Sequence, residues 1–451
     1  MQKNKNGLVV LTEGAPWKCI LRFAVPMLLG SLRQQLYYTV DAMVIGRIVG
    51  QQALLDVGTC GVLTNLLFAF STGFSAGAAI ISARYYSAGD SGRITQNARA
   101  TIISLLCLGA AICGVGLLFG RPLLRYGVSV PESLIGYSAQ YFRICAVGFI
   151  FQFVYNGAAA LLRSIGDSRA PLYFLFISML LNILLDYTFM QKLDLGVAGA
   201  AWAAVLSQLM ACGVSLAYMF RRYDLLRFYG KGITTGREDV ALIVKTGFPM
   251  ALQSMIGTVF NLMVQHLVNS FGEAMIASYT VVSRVEGYMH LPTSTLYQAI
   301  PTYTAQNLGA EKPQRIRACL RHTVIMAVIF TLAVSIAVFV LAPEIASSFG
   351  ISGLSAQYCI SHVRCLTFPI LLFAVYFPCT GLYQGMGKGM VSTALSTGFL
   401  ACCLMFAYLL RYIPAIGYRS LFICKPLAWV IITTVNYIYY FSGKWEKPQA
   451  E

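Results

Sequence analysis

RICAVGFIFQFVYNGAAALLRSIG (143–166) and RCLTFPILLFAVYFPCTGLYQGMG (364–387) share landmarks at a constant offset of 221 residues. Arg143, Val154, Tyr155, Leu161 and Gly166 in the first match Arg364, Val375, Tyr376, Leu382 and Gly387 in the second. The correspondence extends outward. Pro26-Met27 matches Pro249-Met250, and SAGDSGR (87–93) matches NLGAEKPQR (307–315), each a Gly-turn leading into a basic helix start. The chain is therefore read as a duplication, with residues 1–220 as one lobe, 221–239 as a cytoplasmic linker and 240–451 as the other lobe.

Each lobe contains six apolar runs. The runs predict helices at roughly 17–45, 53–83, 94–119, 134–160, 170–190, 196–220, 240–268, 274–305, 316–341, 354–383, 389–411 and 417–441. About 20 apolar residues in a helix cross the ~30 Å hydrocarbon core. The expected fold is an all-α integral membrane protein with 12 transmembrane helices in two pseudo-symmetric six-helix lobes. An even helix number gives both copies the same orientation, so their symmetry axis lies along the membrane normal, a plan known among transporters.

Composition agrees. The 451 residues are 57% hydrophobic and only 11% charged, against about 25% charged in soluble domains. The first 16 residues are polar or mixed, which predicts no removable signal peptide. The net charge of +16 is not a nucleic-acid signature, because it is one-sided. On the predicted topology, 21 of the 33 Lys and Arg fall on the side of the termini and six on the other. The positive-inside rule then puts both termini in the cytoplasm of an inner-membrane protein, facing anionic lipid. Thirteen cysteines form no CxxC pair and no metal-ligand spacing, so they read as small residues for helix packing. HExxH does not occur, and no enzyme is expected.

Ionisable groups inside a spanning helix cost ~2.5–3.5 kcal/mol on insertion scales and mark function by default. Asp41, Asp186 and Glu286 stand well inside predicted helices. SMLLNILLDY (178–187) sets Asn182 and Asp186 four apart, on one helix face. Asn156 lies before the Gly166 turn at about the depth Asn182 reaches after it, roughly 15–17 Å in. Helices 4 and 5 can therefore present two amides and a carboxylate to one pocket, with Asp41 joining from helix 1 according to how Pro26 bends that helix. Two buried carboxylates repel and favour uptake of a proton or a small cation. Oxygen ligands from Asp41, Asp186 and Asn182 suit Na⁺, and the same groups hold H⁺. Glu286 has Arg284 and His290 as candidate partners. Tyr37, Tyr38, Tyr141, Tyr155 and Phe153 are aromatic candidates for packing or for contact with a cationic aromatic substrate.

LTEGAPWKCILRFAVPMLLGSLRQQLYYTVDAMVIGRIVG (11–50), LLRSIGDSRAPL (161–172), LGVAGAA (195–201) and NLGAEKP (307–313) resemble signatures of the multidrug and toxic compound extrusion (MATE) family. The resemblance runs over essentially the whole chain. It implies two lobes around a central cleft, alternating access, and export of organic, often cationic or aromatic, compounds in exchange for H⁺ or Na⁺. It implies no further cofactor, and the chain is expected to act as a monomer. Asp41, Asn182 and Asp186 match cation-site positions of the branch related to the DNA-damage-inducible transporter, and Asn156 and Tyr37 are similar to supporting residues there. A second branch places coupling acids in helices 7 and 10, where this chain has none beyond the cytoplasmic start of helix 7. Helix 6 also lacks an early hydroxyl, reading Trp202-Ala203-Ala204-Val205 before Ser207, which tilts the expectation toward H⁺. The alternative weighed is a lipid-linked oligosaccharide flippase of the same superfamily, for which several intrahelical Arg or Lys would be expected.

Overall fold

The computed structural model describes the backbone of residues 10–48, 51–127, 135–193, 195–228 and 236–446, and their side chains except 33–60, 62, 137 and 191. Among the described residues all regular structure is helical. The helices are α1 (Pro16–Ile48), α2 (Gln51–Ala88), α3 (Ser91–Pro122), α4 (Ile135–Ser164), α5 (Ala170–Tyr187), α6 (Gly196–Arg222) and α7 (Arg237–Asn269). There follow α8 (Glu273–Gly309), α9 (Pro313–Val340), α10 (Ala342–Ser348), α11 (Gly353–Thr367), α12 (Ile370–Gly385), α13 (Gly389–Leu410) and α14 (Ser420–Phe441).

Among the described residues, nine helices are long and apolar enough to cross a membrane, and the bent α11–α12 pair, taken as one span, makes a tenth. Helices α1 and α8, with 33 and 37 residues, exceed the ~20 residues that a crossing needs at ~1.5 Å per residue. These twelve correspond to the twelve predicted from sequence. The expected helix 354–383 is broken, however: α11 and α12 meet at a 52° bend. Pro369 has no N–H to continue the ladder, and its ring clashes with the carbonyl four residues back, so α12 starts anew after it. Short α10 was also not expected; Pro343 opens it just after α9 ends.

The chain divides into two compact units, one holding Leu11–Ala24 with Ile256–Glu451, the other holding Val25–Met255. The divisions fall inside two helices that carry an internal proline, beside Pro26 in α1 and after Pro249 in α7.

In the unit Val25–Met255, α4 packs on α2, α3 and α6. Its run from Phe153 to Leu162 is buried throughout. The start of α7 lies directly on α2, because Gly73 and Gly77 leave room for backbone against backbone. A Cβ at Gly77 would stand 2.4 Å from Gly247 Cα, and one at Gly73 would stand 2.5 Å from the Met250 carbonyl. Small residues four apart are how apolar helices approach closely in lipid. The α4–α5 turn uses Gly166 at φ +98°, then Asp167 as a hub. Its carboxylate accepts from the N–H groups of Arg169 and Ala170 and from the hydroxyls of Tyr218 (3.0 Å) and Tyr223 (2.7 Å). Burial, and then the hydrogen bond to Asp167, hold the Tyr223 hydroxyl protonated far above the ordinary tyrosine range.

In the other unit, the 307–315 motif ties down the segment that precedes α1. Leu11 is fully buried. Its carbonyl accepts from Asn307 Nδ2 (3.2 Å) and Arg315 Nη2 (3.3 Å), and Arg315 Nη1 also reaches the Gly14 carbonyl at 2.8 Å. Lys312 holds the Thr12 carbonyl. Asn307 in turn accepts from Arg315 Nε, so the Asn, Lys and Arg of NLGAEKPQR all serve one strap.

Candidate functional site

The buried face of α5 is a line of one residue per turn: Ala170, Phe174, Ser178, Asn182 and Asp186, with Pro171 beside the first. Its N-terminal half is apolar and its C-terminal half is polar. Asn182 is 5% exposed and Asp186 2%. This line packs toward α6. Ser178 donates to the Ser207 carbonyl of α6 at 2.8 Å, and Ser207 donates to the Ala204 carbonyl at 2.8 Å. Both hydroxyls are thus engaged by backbone. Asn156 is buried on α4 and donates to Ser71 Oγ of α2 at 3.0 Å. The sequence reading missed Ser71 and Ser178. Ser178 was legible from its four-residue spacing to Asn182, whereas Ser71 lies 85 residues from Asn156 and no local pattern points to it.

The aromatic candidates divide. Phe153 is fully buried against Phe70, and Tyr155, also buried, donates to the Pro171 carbonyl at 3.0 Å. Both positions join α4 to its neighbours. Tyr141 is half-buried against the same core. Asp41, Tyr37 and Tyr38 fall on α1, but their side chains lie outside the described residues. So does one of the three candidate Na⁺ ligands, Asp41. Pro26 lies within α1, which is one continuous helix by its hydrogen bonding.

Glu286 of α8 is 8% exposed. Its partner is Lys425 of α14, 139 residues away, whose Nζ lies 2.6 Å from Oε1 and 2.5 Å from Oε2. His290 Nε2, one turn on, lies 3.3 Å from Oε1. Of the two partners expected from sequence, His290 is present, while Arg284 is exposed, two residues along and off that face. Phe373 meets the His290 ring edge-on at 4.3 Å, and Trp429 lies 6.2 Å from it. Lys425 was missed because an ion pair between distant helices leaves no periodic trace. Among the described residues, no group of three or more His, Cys, Asp or Glu is arranged to hold a metal ion.

A family model described as MatE matches residues 26–188 and 246–412, one segment in each repeat. The chain is 25% identical to a probable multidrug resistance protein, YoeA, of Bacillus subtilis, covering 100% of this chain and 99% of that protein. It is 28% identical to a second B. subtilis probable multidrug resistance protein, YpnP, over 68% of each. Among solved structures, an outward-facing multidrug resistance MATE transporter of the MOP superfamily superposes with a TM-score of 0.90, at 23% identity and 98% coverage of both chains.

Proposed function

The chain belongs to the MatE family of membrane transporters, and from that premise we propose that it is a cation-coupled antiporter exporting organic compounds, chiefly cationic or aromatic ones, by alternating access. Full-length likeness to a protein named for multidrug resistance supports the substrate class. No observation favours the oligosaccharide-flippase alternative.

The single observation that carries the coupling reading is the polar end of α5, with an amide and a carboxylate one turn apart and nearly sealed from solvent. A charge inside a spanning helix is costly. The carboxylate is held at least cost when a proton or a cation neutralises it. In the proposed cycle Asp186, with Asn182, Asn156 and Asp41, takes up the ion from outside. Neutralisation releases substrate outward, and α1 repacks about Pro26. The ion drives this only by binding one state better than the other. Helix α6 reads Trp202-Ala203-Ala204-Val205 early on and has no hydroxyl there to ligate Na⁺, so H⁺ is the proposed ion. The proposed setting is the inner membrane, with both termini cytoplasmic and the monomer as the working unit.

The test is efflux of a fluorescent organic cation from proteoliposomes carrying Asp186→Asn or Asp41→Asn. Loss of gradient-driven efflux, with the protein still folded and binding substrate, is expected in both variants. Undiminished efflux in both rejects the site.

A further inference from the structure

The Glu286–Lys425 pair lies in the other unit, apart from the α5 stripe, and the cycle above does not use it. Its geometry is that of an occupied cation site. One ammonium nitrogen sits on both carboxylate oxygens at 2.5 and 2.6 Å, where a free monovalent cation would sit on an unpaired carboxylate. The side chains are enclosed, Glu286 at 10% and Lys425 at 13% exposure. The surrounding ionisable groups are Tyr279 and His290 of α8, His362 of α11, Cys403 of α13 and Cys424 of α14. The tyrosine and cysteine side chains are uncharged in their ordinary forms at neutral pH. One negative charge therefore meets one permanent positive charge. His290 stands 3.3 Å away as a second, weaker partner, its Nδ1 without a hydrogen bond.

We propose that the Lys425 ammonium is a tethered counter-cation that fills a monovalent-cation site on Glu286, so that this unit exchanges no coupling ion. Being attached to α14, the amine is present at an effective concentration no free ion matches. It stays through the cycle because leaving would strand a charge in an apolar interior. Coupling is thereby confined to the other unit. The site is latent: without the amine, Glu286 recruits a proton or Na⁺, with His290 placed to share it.

The inference is tested by ion binding to purified protein, not by transport, so it fails or stands separately from coupling at Asp186. Proton uptake is titrated over roughly pH 8 to 5, where His and raised carboxylates respond, with and without Na⁺. Lys425→Met is expected to take up one more cation per chain than wild type. The excess disappears in Glu286→Gln/Lys425→Met, which matches wild type. Trp429 fluorescence, reporting on the adjacent His290, titrates in Lys425→Met and not in the double variant. Uptake by Lys425→Met equal to wild type overturns the proposal, as does wild-type uptake that Glu286→Gln removes. If Lys425→Met does not fold, Lys425→His decides. Replacing a permanent cation by a titratable one should make Tm fall as pH rises through the histidine range, and a flat Tm overturns the proposal.

Discussion

Asp186 ends a buried line that runs from Ala170 through Phe174, Ser178 and Asn182, changing from apolar to polar halfway along one helix. A packing face would have no reason to change character there. Burial at 2% exposure makes the charged and neutral forms differ sharply in cost, which is what a coupling group requires. Asp186→Asn keeps the shape and removes the titration. The expected result is substrate binding within a few-fold of wild type but gradient-driven efflux at background. Asp167 has a positioning role at the α4–α5 turn, a carboxylate accepting from four donors. Tyr223→Phe removes one of those donors. A hydrogen bond to a charged group contributes roughly 1.5–3 kcal/mol, so the variant should unfold at lower temperature by about that free energy while transport per folded molecule is unchanged.

At the level of elements, the prolines and glycines decide where helices bend and how closely they meet. Pro26 removes the N–H that would bond to the Arg22 carbonyl, which lets α1 repack at low cost. Pro26→Ala is expected to raise thermal stability and slow efflux, measured by Tm and by initial rates in vesicles. Gly77 faces the α7 backbone at a distance no side chain tolerates. Gly77→Leu should therefore destabilise by about 1–3 kcal/mol or more through overpacking, whereas Gly114→Ala in α3, where a Cβ meets nothing within 4 Å, should be neutral or slightly stabilising.

The elements also show how far the sequence could be read. Helices of 20 or more apolar residues, the offset of 221 and the Asn182–Asp186 spacing are local or periodic signals, and they were legible. The break between α11 and α12 was overlooked because a continuous apolar run masked a proline whose effect is steric. The Lys425–Glu286 and Asn156–Ser71 contacts arise from packing of helices distant in sequence. No periodicity records those.

For the whole molecule, the two repeats have diverged in charge. One unit carries a buried carboxylate and amide on α5, the other a carboxylate already matched by an ammonium. A duplicated scaffold in which only one copy exchanges an ion gives a fixed, low stoichiometry per cycle. The central claim is that this exchange is of protons and passes through Asp186. The direct measurement is efflux of a fluorescent organic cation from proteoliposomes under a pH gradient alone, and then under a Na⁺ gradient alone, for wild type and Asp186→Asn. The account predicts pH-driven efflux in wild type, little or none under Na⁺, and none under either gradient in the variant. Efflux driven equally well by a pH gradient in Asp186→Asn would contradict it.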